Sequence, residues 1–283
     1  MNNNQIKIKG DAFQMSKFKT KSGVTLDYVD EGEGKPIIFV HGMVCSKAFF
    51  QKQIPYFSKN NYRALAVDLR GHGESEKPMS GYTIKTFASD LHELVQALGL
   101  KKPILVGWSM GSMVVWEYAA MFPDELGALI CVDQGASDFA WPGWQYGVMT
   151  IQDLRDMAAA LQTDRKPMYQ ELIQLMLHVP QKEESEFFLG EMMKIPPVIA
   201  EAIIMNQTFE DYRESVKGIR VPTLILFGED PKLNPPEAGY WLHDQIPGSL
   251  IKTFKNSSHC PFWEESELFN QTVKEFADSL SAQ

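Results

Sequence analysis

Residues 103–122, PILVGWSMGSMVVWEYAAMF, contain the pattern on which the predicted fold depends. An apolar run leads into GWSMG (107–111), and apolar residues at helical spacing follow it. This order of strand, Gly-x-Ser-x-Gly and helix is typical of a sharp turn that presents a serine. The glycines lack Cβ atoms, so neighbouring backbones can approach the turn closely. We therefore expect Ser109 at the end of a buried strand and the start of a helix, where the helix dipole favours negative charge.

The same alternation of short apolar runs and longer amphipathic segments extends through most of the chain. Helical periodicity is clearest in residues 83–100, 109–122 and 264–280. This alternation predicts a mostly parallel sheet of eight strands with helices on both faces. The predicted strands are an opening antiparallel hairpin in FKTKSG and LDYVDEG, followed by PIIFV (36–40), YRALAVDL (62–69), PILVGW (103–108), LGALICVD (126–133), PTLILFG (222–228) and SLIKTF (249–254).

One long segment interrupts this alternation. Residues 137–217 contain no strand-like run, but they contain helical segments such as LRDMAAALQ and YQELIQLMLH. An insertion of this length between two parallel strands must lie outside the sheet. We predict a core domain of residues 1–136 and 218–283 and an inserted helical cap, or lid, of residues 137–217. The insertion is rich in Met, Trp and Phe and has few charges in its early part, which favours a small, fairly apolar substrate.

Composition limits the classes of partner. The 283 residues are 44% hydrophobic, and the formal net charge is −9 with the basic residues dispersed. Nucleic acid and anionic membranes are therefore unexpected partners. The first residues, MNNNQIKIKGDAFQMSKFKTKSG, mix polar and charged side chains, so we expect no secretion signal, no membrane span and a cytoplasmic protein. The sequence leaves open whether the protein is a monomer or a homodimer.

The cysteines and histidines do not suggest a metal or redox site. Cys45, Cys131 and Cys260 form no Cys-x-x-Cys pair, and no other cysteine or histidine lies at ligand spacing from Cys260. We therefore predict no metal, no cofactor and no framework of disulfides.

Three motifs together resemble the α/β-hydrolase family, over nearly the whole chain from about residue 18. They are GWSMG (107–111), FVHGM (39–43) after the third strand and DLRGHGES (68–75) after the fourth. The resemblance implies that Ser109 is the nucleophile and that the amides of Met43 and Met110 form the oxyanion hole. It also implies that His259, between the last strand and the last helix, is the general base.

The resemblance leaves the acid of the catalytic triad open. Many family members place the acid three residues after the glycine that ends the next-to-last strand, but here that position is Pro231. Asp230 lies one place early, while Asp133 ends the preceding strand, from which some members take the acid. We favour Asp133, with Asp230 as the alternative, because a carboxylate at either strand end could orient the histidine.

A serine nucleophile excludes the family branches that use an aspartate at this turn. We expect hydrolysis of a carboxylic ester, lactone or thioester through an acyl-enzyme on Ser109. Carbon–carbon bond hydrolysis and a perhydrolase-type reaction are alternatives. A ligand-binding receptor with little turnover is a further alternative, suggested by the displaced acid.

Overall fold

Eight strands form one sheet in the computed structural model, which describes residues 15–280. The sheet order is β1-β2-β4-β3-β5-β6-β7-β8, with β1 and β2 antiparallel and the other six strands mutually parallel. This arrangement confirms the predicted hairpin and the mostly parallel sheet. The strands are β1 (Met15–Lys19), β2 (Thr25–Glu31), β3 (Lys35–Val40), β4 (Tyr62–Val67), β5 (Ile104–Trp108), β6 (Ala128–Val132), β7 (Thr223–Gly228) and β8 (Leu250–Phe254).

Helices cover both faces of the sheet. On one face α2 packs against α3, whereas α1 contacts α10 on the other. The helices are α1 (Ile54–Ser58), α2 (Ile84–Ala97), α3 (Met110–Met121), α4 (Ile151–Gln162), α5 (Lys166–Met176), α6 (Lys182–Met192), α7 (Pro197–Thr208), α8 (Pro236–Gln245), α9 (Pro261–Glu264) and α10 (Ser266–Ser279), with short 3-10 turns at Lys47–Phe50, Pro123–Glu125 and Ser215–Gly218.

The central strands are apolar because both of their faces are covered. Every residue of β5, β6 and β7 is buried, as is the second half of β3. Continuous apolar runs of this kind are typical of parallel strands between two helical layers. The edge strand β8 instead alternates exposed and partly exposed positions, and only its last residue, Phe254, is buried.

The chain between β6 and β7 contains α4 to α7 and no strand of the sheet, as the sequence predicted. Within this insertion α4 packs against α7, and α5 packs against α6. The division into a core and a cap at residues 137 and 217 stays a prediction. Residues 1–14, which include most of the segment for which we predicted no signal or membrane span, lie outside the described residues. None of the helices within residues 15–280 is long and apolar enough to cross a membrane.

The parallel strands bring their carboxyl ends to one edge of the sheet. Trp108 at the end of β5 pairs with Val132 at the end of β6, and Val132 pairs with Leu226 in β7. The loops after these strands therefore begin side by side. Open α/β sheets bind their ligands at this edge.

Candidate active site

Ser109 lies on the sharp turn between β5 and α3. Its backbone has φ 54° and ψ −127°, a conformation that residues with a side chain rarely adopt. The flanking glycines permit this turn: a Cβ on Gly111 would lie 2.1 Å from the carbonyl oxygen of Val40, and a Cβ on Gly107 would lie 2.3 Å from the oxygen of Gly111. Ser109 is partly exposed, although its chain neighbours on both sides are buried. Ser109 is therefore the accessible residue of the turn.

Asp133 and His259 form a buried pair beside this turn. Nδ1 of His259 lies 2.8 Å from Oδ1 of Asp133, and the two residues are 3% and 1% exposed. The other carboxylate oxygen accepts the N–H of Gly228 at 2.9 Å, and Nδ2 of Asn234 donates to Oδ1 at 3.2 Å. These donors hold the Asp133 carboxylate in a fixed orientation. A carboxylate in this position orients an imidazole and favours the tautomer with its proton on Nδ1.

Trp108 connects the histidine loop with the turn of Ser109. Its indole Nε1 donates a hydrogen bond of 2.8 Å to the carbonyl oxygen of His259, and the two rings are 5.5 Å apart between centroids. Because Trp108 directly precedes Ser109, this contact holds the loop of His259 next to the turn of Ser109.

Three of the five described non-glycine residues with a positive φ lie in these loops; the other two, Asn61 and Lys102, precede strands β4 and β5. Val44, Ser109 and Asp133 all have a positive φ, of 55°, 54° and 49°. Such conformations cost about 1–3 kcal/mol each for residues other than glycine and cluster at functional sites. The amide of Ser109 donates to the carbonyl of Val132 at 2.9 Å, and the amide of Asp133 donates to Leu226 at 2.8 Å, so these strained residues remain tied to the neighbouring strands.

The alternative acid, Asp230, has a different histidine partner. Its Oδ2 lies 2.7 Å from Nδ1 of His178, in the loop between α5 and α6. Lys232, two residues further on, donates to the carbonyls of Leu177 and His178 at 2.9 and 2.7 Å. The structure therefore brings Asp133, and not the Asp230 carboxylate, to His259.

The loop after β3 lies directly against Ser109. A Cβ on Gly42 would lie 3.0 Å from the Cβ of Ser109 and 3.5 Å from its Oγ. Met43 follows Gly42, and Met110 is the first residue of α3, where helix N–H groups have no intrahelical acceptor. Within residues 15–280, neither the Met43 nor the Met110 amide donates to a protein acceptor. Two free N–H groups beside Ser109 are suited to binding an oxyanion.

His41 is a buried part of this loop. Its Nδ1 donates to the carbonyl of Gly42 at 2.8 Å, and its Nε2 accepts the N–H of Leu69 at 3.1 Å. Burial lowers the pKa of His41 to about 4. The imidazole is therefore neutral near neutral pH and fixes the loop, instead of exchanging protons with a substrate.

The DLRGHGES motif (68–75) supports the same loop through the hydrogen bonds of Asp68. Asp68 accepts hydrogen bonds of 2.6 Å from both the amide and the ammonium of Lys47, and one of 2.8 Å from the amide of Glu74. Arg70 forms a buried ion pair with Asp90. These contacts indicate that Asp68 and Arg70 have a structural role.

The inserted helices contact the histidine loop through backbone atoms. The N–H of His259 donates to the carbonyl of Met176 at 3.0 Å, and Oγ of Ser258 donates to Leu175 at 2.9 Å. Glu264 accepts the amides of His178 and Ser258 at 2.6 and 3.0 Å. The end of α5 therefore sets the position of His259.

Several supporting residues were not predicted from the sequence. Asn234 and the Gly228 amide hold Asp133, and Met176 holds the amide of His259. For Asn234 the sequence contains a signal: Asn234-Pro235 is typical of a turn, and it follows a strand that ends at the same edge of the sheet as β6. The role of Met176 depends on its backbone carbonyl, and no sequence pattern marks it.

The cysteines are free and buried. Burial raises the pKa of the Cys45 and Cys260 thiols well above the usual value, so both are protonated at neutral pH. Among the described residues, 15–280, no group of three or more His, Cys, Asp or Glu is arranged to hold a metal ion.

Comparison with known proteins identifies the family to which the chain belongs. Residues 35–179 match the family model described as alpha/beta hydrolase fold, and the chain belongs to this family. The AB hydrolase superfamily protein YisY of Bacillus subtilis is 34% identical over 92% of this chain and 98% of its own length. The non-heme chloroperoxidase CPO-A1 of Kitasatospora aureofaciens is 28% identical over 91% of this chain and 97% of its own.

A solved structure extends the likeness to the whole fold. The esterase from Exiguobacterium antarcticum superposes with a TM-score of 0.90 at 26% identity, covering 94% of this chain and 100% of the esterase. The sheet and the insertion therefore match an esterase along nearly their full length.

Proposed function

We propose that this α/β hydrolase is a serine esterase that cleaves a small, fairly apolar carboxylic ester through an acyl-enzyme on Ser109. The observation that carries the proposal is the buried Asp133–His259 hydrogen bond of 2.8 Å beside the strained turn of Ser109. Such a pair gives a serine hydroxyl the base that it needs to act as a nucleophile.

In the first half-reaction the proposed base is Nε2 of His259. It takes the proton of the Ser109 hydroxyl while Oγ bonds to the ester carbonyl carbon. The negative charge that develops on the carbonyl oxygen is stabilised by the amides of Met43 and Met110. The imidazolium then returns its proton to the departing alcohol, and the tetrahedral intermediate collapses to the acyl-enzyme.

In the second half-reaction a water molecule takes the place of the alcohol. His259 removes one proton of this water as its oxygen attacks the acyl carbonyl, and then protonates Oγ of Ser109 as the acid leaves. Asp133 keeps its negative charge throughout and stabilises the imidazolium in both steps.

The proposed substrate class rests on the surroundings of the site. The ring of Phe49 packs 5.4 Å from Trp108 and 4.5 Å from Phe188 of α6, so aromatic side chains line the junction between the insertion and the sheet. A pocket between residues 137–217, proposed as the cap, and the core would favour apolar acyl or alcohol groups.

A second candidate follows from the relative named as a non-heme chloroperoxidase. If hydrogen peroxide replaces water in the second half-reaction, the acyl-enzyme releases a peracid and Ser109 regains its proton. A peracid is an oxidant that can react with halide ions. The same Ser109, His259 and Asp133 would carry out this reaction.

The proposal is tested by the hydrolysis of p-nitrophenyl esters, from acetate to decanoate, by the wild-type protein and by Ser109→Ala. Turnover that disappears in the variant supports the esterase proposal. The acyl chain length with the fastest hydrolysis indicates the size of the pocket. Faster peracid formation from acetate and peroxide than ester hydrolysis would favour the second candidate. Absence of turnover, with Ser109 still open to phosphonate labelling, would overturn the esterase proposal in favour of carbon–carbon hydrolysis or a receptor.

A further inference from the structure

Glu191, near the end of α6 in the insertion, is a carboxylate buried against the loop after β3. Only 5% of this residue is exposed. Its Oε2 accepts a hydrogen bond of 2.6 Å from Oγ of Ser46, which is itself 1% exposed. Ser46 lies three residues after Met43, whose amide belongs to the proposed oxyanion hole. A side chain of the insertion therefore binds the loop that contains this amide.

The backbone between Met43 and Ser46 forms a tight turn. The amide of Cys45 donates to the carbonyl of Gly42 at 3.3 Å, and Val44 has a positive φ of 55°. A hydrogen-bonded turn of four residues has few alternative conformations. The position of Met43 therefore depends on how the chain is held directly after the turn, at Ser46.

Two different parts of the molecule hold the chain after this turn. Glu191 of the insertion binds the side chain of Ser46, whereas Asp68 of the core binds both the amide and the ammonium of Lys47 at 2.6 Å. Oγ of Ser46 also accepts the amide of Ala48 at 3.2 Å and so caps the 3-10 turn that follows. The loop after β3 is thus anchored to the core and to α6 at adjacent residues.

The Glu191 carboxylate is itself held in place. Its Oε1 lies 2.8 Å from Nζ of Lys194, and the same ammonium lies 3.0 Å from the carboxylate of Glu74. Phe188 lies three positions before Glu191, on the same side of α6, and its ring packs 4.5 Å from the ring of Phe49. Because a second partner and the packing of its helix fix this carboxylate, it can act as an anchor for the serine.

We propose that Glu191 is a positioning residue for the oxyanion hole, whose carboxylate holds the loop after β3 through Ser46 and so sets the direction of the Met43 N–H. This inference rests on the proposed function. Glu191 gains and loses no proton in the reaction, and no bond of the ester forms or breaks on it. An oxyanion hole binds the tetrahedral intermediate more strongly than the ester, so a change in its geometry affects kcat more than KM.

Two substitutions of Glu191 separate the hydrogen bond from the charge. Glu191→Ala removes the acceptor of the Ser46 hydroxyl, whereas Glu191→Gln keeps one acceptor oxygen and loses the charge. Steady-state hydrolysis of p-nitrophenyl butyrate gives kcat and KM. Calorimetric titration with phenylboronic acid gives the Kd of an adduct in which Oγ of Ser109 bonds to boron and a boron-bound oxygen occupies the oxyanion hole.

We expect Glu191→Ala to lower kcat about tenfold while KM stays within about twofold, because the hole is displaced and not removed. The Kd of phenylboronic acid should rise by about the same factor as kcat falls, since the boronate resembles the tetrahedral intermediate. Glu191→Gln should restore both values to within about threefold of the wild type, because the hydrogen bond from Ser46 remains.

Glu186→Ala is the matched control. Glu186 lies on the same helix but is highly exposed, and its partner Lys182 is 3.9 Å away. The kcat and the boronate Kd of this variant should stay at wild-type values. A role of Glu191 in stability alone would lower the Tm of Glu191→Ala and leave the kcat and boronate Kd of the folded protein unchanged, and that result would overturn the proposal.

Ser46→Ala removes the other partner of the same hydrogen bond. If Ser46 and Glu191 act through this one contact, the double variant Ser46→Ala/Glu191→Ala should lose no more kcat than the more affected single variant. Losses that simply multiply in the double variant would overturn the proposal. If Glu191→Ala does not fold, Ser46→Ala carries the test alone, and an unchanged kcat and boronate Kd in it would overturn the proposal in the same way.

Boronate binding does not depend on ester turnover, so it separates this inference from the esterase proposal. A protein that hydrolyses no ester, but whose Glu191→Ala variant binds phenylboronic acid about tenfold more weakly, would keep the role of Glu191 and reject the esterase. Ester hydrolysis by Ser109 with an unaffected Glu191→Ala variant would keep the esterase and reject the role of Glu191. A wild-type protein that neither hydrolyses esters nor binds the boronate would overturn both.

Discussion

Asp133 and Asp230 lie just after the neighbouring strands β6 and β7, yet their surroundings differ. Asp133 is buried, accepts the amide of Gly228 and contacts His259, whereas Asp230 is bound to His178, a partly exposed residue. A carboxylate can orient the imidazole of a catalytic triad only if other hydrogen-bond donors hold the carboxylate itself in place. Asp133 meets this requirement.

We therefore predict unequal effects for the two matched substitutions. Asp133→Asn should lower kcat by about three orders of magnitude, because the replacement favours the wrong imidazole tautomer. Asp230→Asn should leave kcat within a few-fold of the wild type. Steady-state hydrolysis of one p-nitrophenyl ester by both variants measures the difference, and the reverse ranking would assign the acid to Asp230.

The sequence alone proposes Ser109 and His259 without an alternative but leaves the acid open, for a physical reason. The Ser109 turn is a local pattern of strand, glycines and helix, and residue spacing is enough to find it. The choice of acid depends instead on the positive φ of Asp133 and on donors from β7, which are set by tertiary contacts.

A second prediction at the residue scale concerns the turn glycine. Gly111→Ala should lower the free energy of unfolding by about 3 kcal/mol or more, because its Cβ would lie 2.1 Å from the backbone oxygen of Val40. Gly190→Ala is the control, since Gly190 lies in α6 with no atom within 4 Å of an added Cβ. That change should stabilise the protein by about 0.5–1 kcal/mol. Urea unfolding of both variants gives the comparison, and equal effects would contradict it.

At the scale of elements, α5 connects the insertion with the histidine loop. The carbonyl of Met176 at the end of α5 accepts the amide of His259, and Lys232 binds the next two carbonyls of the same segment. Lys232 belongs to the loop after β7, so one core side chain fixes the end of an inserted helix. A cation at a helix C-terminus also interacts favourably with the helix dipole.

Lys232→Met should therefore loosen the end of α5 and displace His259 slightly. We expect kcat to fall roughly three- to tenfold while KM changes less, because base geometry affects the chemical step more than binding. Lys182→Met is the control: Lys182 is highly exposed, at the start of α6, and its closest partner is Glu186 at 3.9 Å. A Lys232→Met protein with wild-type kcat would show that the histidine loop holds its position without this anchor.

At the scale of the whole molecule, the sheet edge that forms the site also contains buried ionisable groups. His41 and His72 are fully buried against each other, with ring centroids 4.7 Å apart. Burial lowers the pKa of His41 to about 4 and holds the pKa of His72 well below its usual value. In the unfolded chain both groups bind protons more readily. Protons therefore favour unfolding over the pH range between the folded and unfolded pKa values.

Stability should therefore fall as the pH is lowered from about 7 to about 5, and His41 alone accounts for about 2 kcal/mol of that loss. The sign follows because the pKa of His41 is lower in the folded protein than in the unfolded chain. The contribution of His41 to the free energy of unfolding is complete above pH 6.5, the pKa of the unfolded chain, and disappears as the pH falls toward about 4. The measurement is the free energy of urea unfolding at both pH values. In His41→Asn the protein should be less stable near neutral pH, but its loss on acidification should be smaller by about 2 kcal/mol. A variant that loses as much stability as the wild type would show that His41 is already protonated in the folded protein, and the loop after β3 would then contain a charge beside the proposed oxyanion hole.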